Sequence, residues 1–336
     1  MYLTESDLKI GLRENQIIVK RLSDGGERAI PFANVDSISV FGMPQISTQL
    51  IRECLASDVP IAYYSEDGHY FGNLSSSTRI DPLRQKRQVL LTDDRKFCLA
   101  WSRNIVAAKI KNSLTLLDSL REVYDFSSDE AQGLNHSLSN LSSAESVEML
   151  LGFEGNAAKS YFECLPKALR NDDFIFSGRS SRPPLDPFNS MLSYGYSILF
   201  KNIIGAIERR GLHPYFAYMH KLRFGHAALA SDLIEEYRAP LIDKTVIGLV
   251  NEGEVAISDF YRNNAGAVYL EKEASKLLAD RFSDAIAKNR RYLIDAGDGR
   301  SYGFQAMLDK KLNLLIDAIE HQDADLYRPY IWKLEK

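Results

Sequence analysis

Over roughly the first 75 residues, apolar and polar positions alternate with the period of a strand. "QIIVKRL" alternates after its first residues, "SDGG" has hairpin-turn chemistry, and "ERAIPF" returns beside it. "VDSISVFG" alternates again, with Val35, Ile38 and Val40 on the packed side. "STQLIRECLAS" changes period: Ser47 or Thr48 caps a short helix whose stripe is Leu50, Ile51, Cys54 and Leu55. "VPIAYYS" and "HYFGNL", joined by "EDG", close this β-rich module as a hairpin.

The sharpest shift in composition is "SSSTRIDPLR", which places a domain boundary near residues 75–82. Beyond Leu83 nearly everything has helical period, including "FCLAWSRNIVAAKIKNSLTLLDSL", "NSMLSYGYSILFKNIIGAIERRG", "AGAVYLEKEASKLLADRFSDAIAKNRRYL" and "GFQAMLDKKLNLLIDAIEH". The expected fold is α+β: a small N-terminal β-sandwich-like domain over 1–78, then a larger all-α catalytic domain over 79–336. "SSAE" reads as a capping box with Ser142 and Glu145 in the reciprocal positions. "GRSSRPPLDPFN" is a basic, proline-rich loop ending in Asp186 as N-cap and Pro187 at the first helical position. Arg179 and Arg182 on that loop suit an anion such as a DNA phosphate, and a plain connector equally well.

One helix breaks its own pattern. In "VEMLLGFEGNAAKSYF", Val147, Leu150, Leu151, Ala157, Ala158 and Tyr161 mark one face, and the position between them is Glu154, followed by Gly155. A carboxylate on a packed stripe is costly unless an arginine or another cation neutralises it. A second stretch, "HPYFAYMHKLRFGHAALASDLIEEYRAPLID", sets His220 and His226 ahead of an acidic helix. There Asp232 and Glu235 lie three apart on one side, with Glu236 one position on. Pro240 ends that helix near Ala239, and "HPY" makes His213 part of a turn. Each acid and histidine of this second stretch, taken singly, is more simply a solvated or packed side chain, whereas Glu154, on an apolar stripe, resists that reading.

Composition narrows the classes. With 45% hydrophobic and 26% charged residues the 336-residue chain has the make-up of a soluble globular protein. No signal peptide is read, and apolar runs such as "TVIGLV" fall far short of the roughly 20 residues that span a bilayer. Three cysteines, Cys54, Cys98 and Cys164, without CxxC spacing argue against a disulfide framework or zinc site and for a reducing cytoplasm. The net charge of −4 argues mildly against a nucleic-acid partner. Local clusters argue the other way: Arg79, Arg84, Lys86 and Arg87, then Lys288, Arg290 and Arg291.

If Glu154, His220 and Glu235 converge, two carboxylates about 4 Å apart repel by about 4 kcal/mol at an effective dielectric near 20. A divalent cation between them reverses that sign. Two carboxylates and an imidazole, with positions left for water, suit Mn²⁺ or Mg²⁺ better than structural zinc. Such a site does phosphoryl chemistry, and Gly155 then leaves room for a bulky backbone. Glu154 and His220 are 66 residues apart, so spacing alone does not bring them together.

At these residues the chain resembles the integrase of CRISPR adaptation modules, the family often called "Cas-one". "LLGFEGNAAKSYF" resembles the helix that carries its first metal-ligand glutamate. "RPPLDPFNSMLSYGYSILF" resembles its arginine-proline loop and following helix, "GLHPYFAYMH" the segment ending in its ligand histidine, and "LASDLIEEYRAPLID" its final acidic helix. "NIVAAKIKNSLTLL" and the β-then-α order fit as well. The resemblance implies metal ligands Glu154, His220 and Glu235, with Asp232 beside them as a second acid. The family most often has aspartate where this chain has Glu235, which leaves Asp232 and Glu235 both open as the direct ligand. His226 is expected nearby, without a catalytic role.

The implied activity is a metal-dependent integrase that inserts short duplexes, new spacers, into a repeat array by attack of a 3′-hydroxyl on a phosphodiester. The resemblance also implies a homodimer through the β domains and a small ferredoxin-like "Cas-two" partner. Arg84, Arg87, Arg179, Arg182 and Arg238 are nominated for DNA contact, while Tyr194 and Tyr196 read as packing residues. Three rivals stand beside this reading. One is a metal-dependent nuclease on branched or damaged DNA, without integration. Another is a catalytically silent DNA-binding scaffold. The last is a helical enzyme in which Glu154 forms a structural pair with arginine.

Overall fold

The computed structural model describes residues 1–35, 37–65, 70–74, 76, 80–121, 123–124, 126, 131–286, 292–293 and 301–334. The chain divides into two compact units, Met1–Ile80 and Asp81–Lys336. Arg79, Lys288, Arg290 and Arg291 of the basic clusters, and the "EDG" turn, lie outside the described residues.

Among its described residues the first unit holds two four-stranded sheets, one α-helix and a 3₁₀ turn at Phe32–Asn34. Its elements are β1 (Tyr2–Leu3), β2 (Leu8–Arg13), β3 (Gln16–Arg21), β4 (Glu27–Pro31), β5 (Ile38–Phe41), β6 (Gln45–Ile46), α1 (Thr48–Ala56), β7 (Ile61–Tyr64) and β8 (Tyr70–Leu74). One sheet has the order β1-β5-β7-β8 and the other β4-β3-β2-β6. The β2–β3 hairpin was not read from sequence. Its register pairs Arg13 with Gln16, so the turn is Glu14–Asn15. Both turn residues have positive φ (49° and 60°), as a two-residue hairpin with right-handed strand twist requires. Ser47 caps α1 by accepting from the Leu50 N–H. The core joins both sheets to that helix through Ile10, Ile17, Ile38, Val40, Leu50, Cys54 and Ile61, all fully buried.

The second unit is mostly helical: α2 (Pro82–Leu91), α3 (Arg95–Ser119), α4 (Gln132–Asn140), α5 (Val147–Cys164), α6 (Pro187–Arg209), α7 (Ala228–Ile234) and α8 (Lys244–Asn251). A hairpin of β9 (Phe260–Arg262) and β10 (Val268–Leu270) precedes α9 (Lys272–Ile286) and α10 (Phe304–His321). The helical reading of "AGAVYLEKEASKLL" is corrected there: Val268–Leu270 pairs as a strand, and the helix begins only at Lys272. The cap of α5 is Ser146, bonded to the Met149 N–H, in place of the Ser142–Glu145 box; residues Leu141–Ser143 form a separate 3₁₀ turn. Asp186 caps α6 as expected.

Pro240 does not end the helical path. A wide π-helical turn over Arg238–Asp243 carries the chain from α7 to α8. Widening the turn relieves the clash between a proline ring and the preceding carbonyls that would break a regular α-helix. Three clamps fix the segments around it. Gln88 on α2 donates to the carbonyls of His213 and Phe216 and accepts from the His213 N–H, which ties down the turn ahead of His220. Asn112 on α3 donates to the carbonyls of Glu236 and Tyr330 and accepts from the Trp332 N–H. Lys311 on α10 reaches the Arg328 carbonyl at 2.7 Å, holding the same C-terminal segment.

Packing around the turn is tight at Gly195 on α6. A Cβ there would stand 2.6 Å from Ile242 Cγ2 and 2.7 Å from Phe282 Cζ, both on buried side chains. Gly195→Ala is therefore expected to lower stability by about 1–3 kcal/mol through overpacking, read as a lowered midpoint of urea unfolding. An unchanged midpoint would mean that α6 parts from the π-turn and α9 without cost.

Candidate active site

Asp232, on the short buried helix α7, organises one half of the site. It is fully buried and accepts from five N–H groups. Trp101 Nε1 of α3 and the backbone N–H groups of Tyr218 and Met219 donate to Oδ2, each at 3.0 Å. The His220 backbone N–H and Nδ1 meet Oδ1 at 3.0 and 2.8 Å. An ionised carboxylate only accepts, so Nδ1 carries the proton and Nε2 of the neutral ring keeps its lone pair. Desolvation disfavours the charged ring, but the Asp232 hydrogen bond and charge outweigh it and raise the His220 pKa above 6.5. A metal at Nε2 would have to displace that second proton.

The other half is built on Lys109, from the buried middle of α3. Its ammonium pairs with Glu154 of α5 and stands 2.6 Å from Oε2 of Glu235. Arg238 holds the other oxygen of Glu235 at 3.0 Å. Two carboxylates and two cations thus cancel in charge around a cavity of about 30 Å³, lined also by Tyr196 and Asp243. Burial alone would lower the Lys109 pKa, but Glu235 and Glu154 outweigh it and raise it, so the ammonium stays charged. Burial likewise opposes ionisation of Glu235, yet Arg238 and Lys109 pull its pKa from 4.5 to about 2.

A third layer holds Arg238. Its guanidinium lies 4.5 Å from the centre of the Tyr196 ring, and that of Arg179 lies 5.4 Å from the same ring. Tyr196 and Tyr161 donate their hydroxyls to the two oxygens of buried Asp243, at 2.5 and 2.6 Å. Burial, opposed by those two hydroxyls, raises the Asp243 pKa. Arg179 is fixed by Asn189 Oδ1 at 2.7 Å and Ser193 Oγ at 3.1 Å, both on α6.

The nominated residues therefore fall into distinct places. Glu154 and Glu235 meet through Lys109, while His220 stands on Asp232. Among the described residues, no three His, Cys, Asp or Glu side chains stand together as a metal-binding group. Glu154 lies at the rim, its side chain 21% exposed, and space around Gly155 is open. Asp232 has every oxygen engaged and acts on His220. Arg179 and Arg238 border the site, and Arg87 and Arg182 are exposed. Arg84 is committed to Glu320 at 2.9 Å and to Asp81 at 3.8 Å. His226 bonds Ser231 Oγ at 3.1 Å. Sequence reasoning missed Lys109. The signal was present: it sits on the stripe of Trp101, Ile105 and Asn112, a charge on a packed face just as Glu154 is.

The sequence pattern of the family described as CRISPR associated protein Cas1 matches residues 1–284. The chain belongs to that family. It is 41% identical over 321 residues to the CRISPR-associated endonuclease Cas1 of Mycobacterium tuberculosis (strain CDC 1551 / Oshkosh), covering 95% of this chain and 94% of that protein. Its fold is similar to that of a casposase bound to integration product, with a TM-score of 0.81 at 21% identity over 100% of this chain and 96% of the other. It is also similar to a chain of a Cas6-RT-Cas1–Cas2 complex, with a TM-score of 0.77 at 23% identity over 99% of this chain and 36% of that one. At such identities the two structural likenesses are likenesses of fold.

In this Cas1-family chain the Glu235 ion pairs give a pH signature. A carboxyl whose pKa falls on folding adds stability above its unfolded value of 4.5 and loses it as the pH drops towards about 2. Glu235→Gln is expected to melt below wild type near neutral pH with chelator present. The gap should narrow steadily below about pH 4.5. A gap that is constant with pH would mean that the ion pairs contribute nothing.

Proposed function

We propose that the chain is a metal-dependent DNA integrase that inserts short duplexes, new spacers, into a CRISPR repeat array. In this reading Glu154, His220 and Glu235 hold Mn²⁺ or Mg²⁺. The observation that carries it is the convergence of two glutamates from different segments on one cation, Lys109 Nζ. Beside them is a histidine whose other nitrogen is already fixed by a carboxylate. Buried Oε2 of Glu235 faces that ammonium without an aligned hydrogen bond, an arrangement that suits a spherical cation. Carboxylate oxygens with one imidazole are the donor set of Mn²⁺ or Mg²⁺. The named endonuclease activity of the Mycobacterium tuberculosis relative supports nuclease or integrase chemistry.

When bound, the ion would supply Lewis-acid stabilisation of the charge that builds on the phosphate oxygens. The chain's own residues do the rest. Asp232 keeps the His220 proton on Nδ1 and fixes the ring plane. Arg238, braced on Tyr196, holds Glu235 in place. With Glu154 and Glu235 holding the ion, Lys109 would no longer be needed to neutralise them and its ammonium could turn towards the substrate phosphate. There a 3′-oxygen of the incoming duplex forms a new P–O bond as the repeat's own 3′-oxygen leaves. One phosphodiester replaces another, and no external energy source is needed.

The same reading takes the β unit as the homodimer contact and a small ferredoxin-like protein as partner. The Cas2 named with the structural neighbour supports that partner. Cys54, Cys98 and Cys164 are buried thiols. Burial pushes the thiols of Cys54 and Cys98 up to about 11. Among the described residues no helix is long and apolar enough to cross a membrane.

Strand joining tests the proposal. Purified protein and its small partner would be mixed with a labelled short duplex, a supercoiled repeat plasmid and Mn²⁺. Label is expected to enter the plasmid with wild type and to fall by about a hundredfold or more with Glu154→Gln, which keeps the side-chain shape. Cleavage without joining would leave a nuclease acting on branched DNA. Equal joining by both proteins would remove Glu154 from the site.

A further inference from the structure

The segment immediately beyond His220 is a small, rigid projection. Lys221, Leu222, Arg223, Phe224 and Gly225 are all exposed, and the Phe224 side chain is fully so. The turn is closed by the His226 N–H donating to the Arg223 carbonyl at 3.2 Å, with Gly225 at a φ of 68°. Only glycine takes that left-handed position without strain. Both feet of the projection are tied down. At one, the Met219 and His220 N–H groups are held by Asp232. At the other, His226 meets Ser231 Oγ and stacks on Phe200, with ring centres 6.5 Å apart and planes within 15°.

A single exposed apolar side chain is ordinary on a protein surface. This one differs in being aromatic, at the tip of an anchored turn, and flanked by two exposed cations. Lys221 and Arg223 favour a polyanion and disfavour an apolar protein surface at the rim. The tip is also close to the chemistry. Phe224 is four residues from His220, so their Cα atoms are at most about 14 Å apart. That span is about four base-pair rises of 3.4 Å.

We propose that Phe224 is a wedge that unstacks a base step of the target duplex within about four steps of the phosphodiester to be joined, while Lys221 and Arg223 take the flanking phosphates. The proposal rests on the integrase reading and adds to it how the target is opened. A rigid apolar wedge bends the duplex towards the major groove and can turn the scissile phosphate towards the carboxylates. Phe224 is thus a positioning residue, acting through the DNA.

The test uses full-length protein with its partner and a repeat duplex carrying 2-aminopurine at successive positions beside the joining site. With chelator present, wild type is expected to raise the fluorescence at one such position, and Phe224→Ala to leave it at the level of free duplex. In Mn²⁺, Phe224→Ala is expected to join about tenfold more slowly on intact duplex and to recover on a duplex mismatched at that position, whose step is already unstacked. Phe224→Trp should retain both signals. Phe224→Ala joining intact duplex at the wild-type rate overturns the wedge. So does a joining defect that the mismatch does not relieve, or a change in oligomeric state, which would assign the tip to a protein contact. Absence of joining by wild type itself would instead strike the integrase reading.

Discussion

Everything at the site depends on one ammonium group standing between two glutamates. Lys109 comes from α3, Glu154 from α5 and Glu235 from the turn after α7, and their charges are what these three segments have in common at the cavity. Two carboxylates at this separation repel, and no hydrogen-bonding arrangement of uncharged groups would offset that in a half-buried place. The fold therefore supplies a cation of its own. Arg238 completes the balance, so that the site is neutral and closed upon itself. In the proposed integrase reading, a divalent ion would upset that balance and leave excess positive charge where a phosphodiester would sit.

The acids divide their work by environment. Asp232 has spent both oxygens on five N–H groups, and its business is the orientation of His220. Glu235 keeps its oxygens for charges. Glu236, the next residue, faces the other way: it accepts from the Tyr327 hydroxyl and the Tyr330 N–H of the C-terminal segment. Burial pushes its pKa up to about 7 despite those bonds. Three acids within five residues thus serve a histidine, a cation and a strap. That division is why the proposal takes Glu235, whose oxygens face Lys109 and Arg238, as the ligand and leaves Asp232 to His220.

Much of this was legible in the chain, and what was not has physical causes. Alternation found β3, β4, β5, β7 and β8, whose apolar positions are evenly spaced. It missed β2 although Leu8, Ile10 and Leu12 alternate there, because the hairpin turn that follows is made by Glu14 and Asn15 without the usual glycine. The proline rule stopped a helix at Ala239, whereas a π-turn absorbs Pro240, and only tertiary packing on Gly195 and Phe282 reveals why. For Glu154, an acid on an apolar stripe announced a partner of opposite charge. The partner's identity required knowing that α3 packs against α5, and the sequence expectation of an arginine or another cation did not point to Lys109. Arg84, chosen for its basic neighbours, is bound to Glu320 far along the chain.

The measurement that bears most directly on the account is anomalous diffraction from crystals equilibrated with Mn²⁺. The expected result is one Mn²⁺ peak bounded by Glu154, Glu235 and Nε2 of His220, with the Lys109 ammonium withdrawn from between the carboxylates. A peak elsewhere, with Lys109 still bridging Glu154 and Glu235, would show the lysine to be a permanent structural pair and would contradict the account.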